Sequence, residues 1–200
     1  MKGFEMAARK PSEPEPQQYD CTDTCARRER EKEVTRAVLS SSLSDEHYTP
    51  PLFVNLARRV MGGIDLDPAS NEMAQGWIGA KRYHTVKADG LFQSWEGRLW
   101  LNPPYGRQTA HWTGKAIREF EKGKVAQAVI LVRPAVGSSW FVELSKRYVR
   151  CEPFKRIRFI DANGNVQPSP PHGNAFFYLG NDIEKFREVF IAIGVVLKPL

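Results

Sequence analysis

Residues 98–106 read RLWLNPPYG: the apolar run Leu99, Trp100 and Leu101 is stopped by Asn102, Pro103, Pro104 and Tyr105. Proline fixes φ and removes a backbone donor, so a strand ends here and a stiff turn follows. A second run, AQAVILV at 126–132, is long and nearly free of charge, as parallel strands buried on both faces are. Helical patterns follow each strand. Thr109 to Glu121 carries Trp112, Ala116 and Phe120 on one face, and Ser139 to Tyr148 carries Trp140, Leu144 and Tyr148. Strands alternating with helices predict an α/β fold with a mostly parallel, doubly wound sheet.

Upstream, Thr49 is placed to cap a helix with Pro50 in its first turn. Leu52, Phe53, Leu56 and Val60 form its stripe, and Gly62-Gly63 ends it. The short strand GIDL follows and closes on Asp67-Pro68. Near the end, FKRIRFI and NAFFYLG flank DANGN, where Asn163-Gly164 predicts a turn and a late antiparallel excursion. No internal repeat is evident.

The 200 residues, 42% hydrophobic, suffice for one core. No apolar run approaches the roughly 18 residues that span a bilayer, and the first residues hold no apolar signal core. A soluble, cytoplasmic protein is expected. Residues 1–42 read as a polar tail: PSEPEPQQ is disorder-prone, while Ala26 to Leu39 has the charge pattern of a solvated helix or a partner-binding arm. Cys21 and Cys25 are half a metal site or two exposed thiols. No second Cys or His pair follows at ligand spacing, so no metal is expected. Net charge is +6, but residues 1–46 hold 8 Lys/Arg against 10 Asp/Glu, which leaves +8 on residues 47–200. That field favours a polyanionic partner.

In an open α/β sheet the ligand crevice lies beyond the carboxyl ends of the strands. IDLDPAS and LWLNPPYG both end strands, with ADGLFQSW between them. The Asn102 amide oxygen and rigid proline carbonyls are acceptors, and Tyr105 is a flat stacking face. Such a set suits a planar NH2 group. Holding both hydrogens would aim the nitrogen lone pair at an electrophile. The alternative is a Pro-Pro turn with Tyr105 as a core aromatic.

NPPY resembles the catalytic motif of amino-group methyltransferases that use S-adenosylmethionine. YTP, IDLDPAS and W-x-G-x-x-W-x-NPPY, in this order, resemble the phage DNA N-6-adenine methyltransferase (Dam-like) family over about residues 47–180. The resemblance implies a Rossmann-like methyltransferase fold over 43–200 and methyl transfer to the adenine exocyclic amine of double-stranded DNA. It implies a phage or prophage setting and GATC as a target. It assigns Asn102 and the Pro103 carbonyl to the amine, with Pro104 as part of the rigid turn, and Tyr105 to stacking on a flipped base. Tyr48, Thr49 and Pro50 are assigned to the methionine end of the cofactor, as are Asp65, Asp67, Pro68 and Ala69; Asp89 is assigned to its adenine. Asp65 and Asp67 also read as a cap and turn pair. The glycine-rich turn usual after the first methyltransferase strand is absent, since DPASNEMAQGW delays glycine to Gly76.

For DNA, the candidates are Arg107, Gln108, His111 and Lys115, then Lys146, Arg147, Arg150, Lys155, Arg156 and Arg158. Arg156 and Arg158 alternate with Ile157 and Phe159. They read as a phosphate track or as ordinary surface charge. His172 falls in a loop expected near the site, and His84 has no evident partner. Target choice would sit in loops, the 150–175 hairpin or a second copy in a homodimer. Two rivals remain: methylation of another amine (cytosine, an RNA base, a glutamine), or a non-catalytic DNA-binding module.

Overall fold

The computed structural model describes residues 47–161 and 163–199. The predicted tail at 1–42, its charged helix, its junction with the rest, and Cys21 and Cys25 lie outside the described residues. The described chain runs α1 (Pro51–Met61), β1 (Leu66–Asp67), α2 (Glu72–Ile78), β2 (Arg82–Tyr83), β3 (Gly97–Leu101), α3 (Thr109–Glu121) and β4 (Val125–Val132). It continues through α4 (Ser139–Arg147), β5 (Val149–Pro153), β6 (Ala175–Leu179), α5 (Ile183–Phe190) and β7 (Gly194–Leu197). Two short 3-10 turns, Val86–Ala88 and Gly90–Phe92, lie between β2 and β3.

The strands form one sheet in the order β2-β1-β3-β4-β6-β5-β7. β2, β1, β3 and β4 are parallel; β6 is antiparallel to β4 and β5, and β7 to β5. This is the expected Rossmann-like fold: a parallel core with a late antiparallel part. Burial explains the double winding. Trp100, Val129, Leu131, Phe176 and Tyr178 face α1, α2 and α5, while Leu99, Leu101, Ala128, Ile130, Val132 and Phe177 face α3 and α4. Alternate side chains point to opposite faces of a sheet, so both faces had to be covered. Rings interlock on the first face: Phe186 lies 4.4 Å from Phe190 and 5.3 Å from Tyr178, centroid to centroid.

The ends of α3 are as expected, and Gly62 stops α1 in the left-handed conformation, φ 75°. Several details differ. Pro50 takes the cap position of α1 and Pro51 its first turn, with no side-chain cap bond because proline has no polar side-chain atom; the Thr49 hydroxyl accepts from Asn102 instead. The stripe of α1 is Val54, Leu56, Ala57, Val60 and Met61, whereas Leu52 is exposed. The FKRIRFI segment is no strand. Ile157 and Phe159 are buried as alternation predicts, but the segment's strand pairing stops at isolated bridges from Ile160 to Tyr48 and Val166. The DANGN turn does form, with Gly164 at φ 83° and the Asp161 carboxylate accepting from the Asn163 and Asn165 amides. Its presumed partner NAFFYLG instead lies between β4 and β5 as β6.

Candidate active site

The chain leaves β1 for β2 on one side and crosses to β3 on the other. A reversal of this kind is where open α/β sheets place their ligand crevice, here at the carboxyl ends of β1 and β3. Asp67-Pro68 ends one strand and Asn102-Pro103 the other. Two motifs 35 residues apart in sequence thus meet because of strand order.

Asn102 is the best-defined residue there. Its Nδ2 donates to the Thr49 hydroxyl at 3.2 Å and lies 3.5 Å from the His47 carbonyl. The orientation is thereby set, since a carbonyl can only accept. Its Oδ1 is buried and has no partner. An unfilled buried acceptor costs about 1–3 kcal/mol, and here it ends the strand at the ligand crevice. Pro103 is buried, Pro104 is exposed, and the Pro104 carbonyl accepts from Thr109 Oγ1 at 3.0 Å, which pins the turn to α3. Tyr105 is half-buried, edge-on to Phe159 at 6.3 Å, with its hydroxyl 3.4 Å from Asn174 Nδ2. Burial pushes its phenol well above the ordinary range, with Arg133 and Asn174 opposing. Tyr105 is therefore neutral, a stacking and hydrogen-bonding group rather than a base.

The first strand's turn is built differently from the expectation. Buried Asp67 accepts from the Ala69 amide at 3.3 Å and from Gln75 Nε2 at 3.0 Å. Burial raises its carboxyl to about 7, against the Ser70, Ala69 and Gln75 hydrogen bonds. Pro68 is buried and Ala69 half-buried. The missing glycine is supplied from elsewhere: Gly90 lies so close to the Pro68 carbonyl that a Cβ would sit 2.0 Å from its oxygen. Trp95 Nε1 holds Gly90 there, donating to its carbonyl at 2.8 Å. Asp89, exposed and at φ 44°, turns the chain into that approach and accepts from the Leu91 amide.

Asp65 is the clear departure. It precedes β1, at the amino ends of the strands, and Arg98 grips it through Nε at 2.7 Å and NH2 at 2.9 Å, with Lys81 at 2.9 Å. Arg98 in particular holds its carboxyl far below the ordinary range. It is a structural ion pair, away from the crevice. Tyr48 and Thr49 are buried; the Tyr48 hydroxyl accepts from Asn71 Nδ2 and the Thr49 carbonyl from Trp77 Nε1. Pro50 is half-buried beside them.

A family model for DNA N-6-adenine-methyltransferase (Dam) matches residues 36–189. The chain belongs to this family. Comparison with curated proteins returned no match. Adenine N-6 methylation in DNA is accordingly the activity that the family match supports.

A methyltransferase of this family implies S-adenosylmethionine, and the crevice carries atoms suited to it. His84, just past β2, donates its backbone N–H to the Asp67 carbonyl at 3.0 Å and accepts from the Ser70 amide at 2.9 Å. Its Nε2 is buried without a partner. Burial, then Arg82 and Lys115, lower its pKa, so the ring is neutral near pH 7. Unfilled polar atoms thus stand on both sides of the 67–70 turn, His84 toward β2 and Asn102 toward β3. These fit a ligand with hydroxyl and amino groups. Sequence reading gave His84 no role because its position depends on the β1–β2 pairing.

The expected DNA contacts divide. Arg107, Gln108 and His111 are exposed at the start of α3, directly after the NPPY turn. Lys115 is not available: its ammonium donates to the Leu91 and Gln93 carbonyls at 2.6 and 2.5 Å and lies over the Trp95 ring. Arg147 pairs with Glu121 and Glu143, and Arg150 with Glu152. Both flank the start of β5, which runs in the same direction as β4, so they lie at the opposite edge from NPPY. Lys155, Arg156 and Arg158 follow the carboxyl end of β5 and are exposed, with Arg156 and Arg158 tied to the Pro170 and Gln167 carbonyls at 3.1 and 3.0 Å. Sequence reading missed Arg133, exposed just past β4 and close enough to act on both Tyr105 and His172. Among the described residues no group of three or more His, Cys, Asp or Glu is clustered for a metal, and no helix is long and apolar enough to cross a membrane.

Proposed function

We propose that this protein transfers a methyl group from S-adenosylmethionine to the N-6 amine of adenine in double-stranded DNA. The observation that carries the reading is the unfilled, buried Asn102 Oδ1, held by Thr49 at the carboxyl edge of β3. S-adenosylmethionine supplies an electrophilic methyl group. Pro68, Ala69 and His84 would hold it, with Asp89 and the segment Tyr48–Pro50 bordering it; Asp67 shapes the turn from behind.

Asn102 Oδ1 and the Pro103 carbonyl accept the two hydrogens of the amine and leave its lone pair facing the donor. Positioning of this kind supplies much of a transfer's acceleration. The base must leave the duplex to reach the crevice. Tyr105 is the ring on which it stacks, and its raised phenol pKa keeps that ring neutral. No carboxylate or imidazole is required as a base, because the nitrogen loses its proton to solvent after transfer. Arg107, Gln108, His111, Arg156 and Arg158 contact the flanking phosphates, with Arg133 close enough to act on Tyr105. A phage or prophage origin, action on GATC, and a polar tail at 1–42 ahead of a catalytic domain at 43–200 belong to the same reading.

Expression in a host lacking adenine methylation, followed by mapping of modified bases, tests this. N-6-methyladenine at one short repeated sequence is the expected result. Its absence, together with modified cytosine, RNA or protein, would overturn the assignment. The Asn102→Ala variant should lose the mark while retaining cofactor binding by calorimetry.

A further inference from the structure

We propose that Arg133, Arg156 and His172 form a clamp for the phosphate that travels with the extruded nucleotide, distinct from the contacts along the rest of the duplex. This rests on the DNA-methylation reading above and adds to it a site for one particular phosphodiester. Segments distant in sequence build the clamp. β3 pairs with β4 as far as Leu101 opposite Ile130, and β6 pairs with β4 from Ala175 opposite Val132. Arg133 is the first residue past β4, so the two registers, continued outward, set it between the NPPY turn on one side and Asn174 on the other. His172 stands two residues before Asn174 in the loop that enters β6. Arg156 is tied to that loop, its NH1 donating to the Pro170 carbonyl at 3.1 Å.

This rim is joined to the stacking ring. Asn174 Nδ2 donates to the Tyr105 hydroxyl at 3.4 Å, and Arg133 is close enough to act on that phenol. Arg133, Arg156 and His172 are all exposed. Burial, then the charges of Arg133 and Arg156, lower the His172 pKa, so both guanidinium groups bear on one imidazole. Among the described residues no carboxylate pairs with either arginine. Cations gathered without a counter-charge favour an anion among them. A phosphate has the matching chemistry: a guanidinium fork meets two of its oxygens, and a neutral imidazole donates one more hydrogen bond.

The position says which phosphate. Extrusion rotates the target nucleotide about its backbone, so a base stacked on Tyr105 draws its own sugar and phosphates out of their places in the duplex. Cations fixed beside that tyrosine hold the displaced phosphate. Lys155 and Arg158, exposed further along the same edge, are left for the flanking duplex.

The test uses the full chain with S-adenosylhomocysteine and duplexes bearing the mapped methylation site, each with a single phosphate replaced by an uncharged methylphosphonate. The replacement adjoins the target adenosine on its 5′ or 3′ side or, for comparison, lies half a helical turn away on the same strand. For wild type, one of the two adjoining replacements should weaken binding by about 10-fold. Arg133→Ala should bind the natural duplex about 10-fold more weakly than wild type and lose nothing further from that replacement, while the distant one costs it what it costs wild type. Arg156→Ala and His172→Gln should show the same pattern with smaller losses, and Arg133→Lys should recover part of the affinity. Binding of S-adenosylhomocysteine should match wild type, which also reports that each variant is folded. A wild type indifferent to both adjoining replacements, or penalties that simply multiply in Arg133→Ala, would overturn the proposal. Failure of wild type to methylate DNA adenine would instead overturn the function on which it rests.

Discussion

Asp65 and Asp67, two positions apart, show how far environment separates identical side chains. Asp65 is paired with Arg98 and Lys81 and stays ionised; Asp67 is buried without a cation, and its carboxyl rises from 3.8 to about 7. The sign for stability follows. Between those values the folded state keeps a proton that the unfolded chain has lost, so the Asp67 contribution is full below about pH 4 and declines until about pH 7. Melting curves of wild type and Asp67→Asn should show this. The asparagine cannot titrate, so the wild type should lose stability relative to it across that window, by at most about 1.4 kcal/mol per pH unit. A difference that does not vary with pH would contradict the burial argument. Neither carboxylate's fate was legible locally: Arg98 lies 33 residues from Asp65, and Asp67 is buried with the Ala69 amide and Gln75 as its partners rather than a cation.

Among the elements, the strands ending in NPPY and the charge-free β4 were legible because an unbroken apolar run admits few other uses. The last third was less so. In β5, Val149 and Cys151 are buried while Arg150 and Glu152 pair with each other, a period of two that its charges disguised as a basic track. At 156–159 the same alternation is present without a ladder, because alternation reports a buried side and not a partner strand. The Gly90 approach to Pro68 belongs here too, since it replaces a local glycine-rich turn by contact between separate segments. Gly90→Ala must displace backbone on one side or the other. Denaturant unfolding should register a loss of about 1–3 kcal/mol, and calorimetry a weaker affinity for S-adenosylmethionine. Full affinity in a folded Gly90→Ala variant would show that the 67–70 turn is not part of the cofactor site.

For the whole molecule, the +8 balance over residues 47–200 is useful only where it faces the crevice. Lys115, Arg147 and Arg150 are held by carbonyls or carboxylates. Arg107, Arg133, Lys155, Arg156 and Arg158 remain exposed near the carboxyl edge, Arg156 and Arg158 with one donor each on a backbone carbonyl and the rest of the guanidinium open to a phosphate. Each phosphate contact contributes about 0.9 to the slope of log affinity against log salt. The Arg156→Ala, Arg158→Ala double variant should therefore flatten the slope by about 1 to 2, whereas Arg147→Ala should leave it unchanged. The reverse ranking would place DNA on the other edge of the sheet. The most direct test is chemical. Full-length protein incubated with labelled S-adenosylmethionine and unmethylated duplex DNA, then digested to nucleosides, should place label in N-6-methyldeoxyadenosine, and Asn102→Ala should place none; label found only in cytosine, RNA or protein would contradict the assignment.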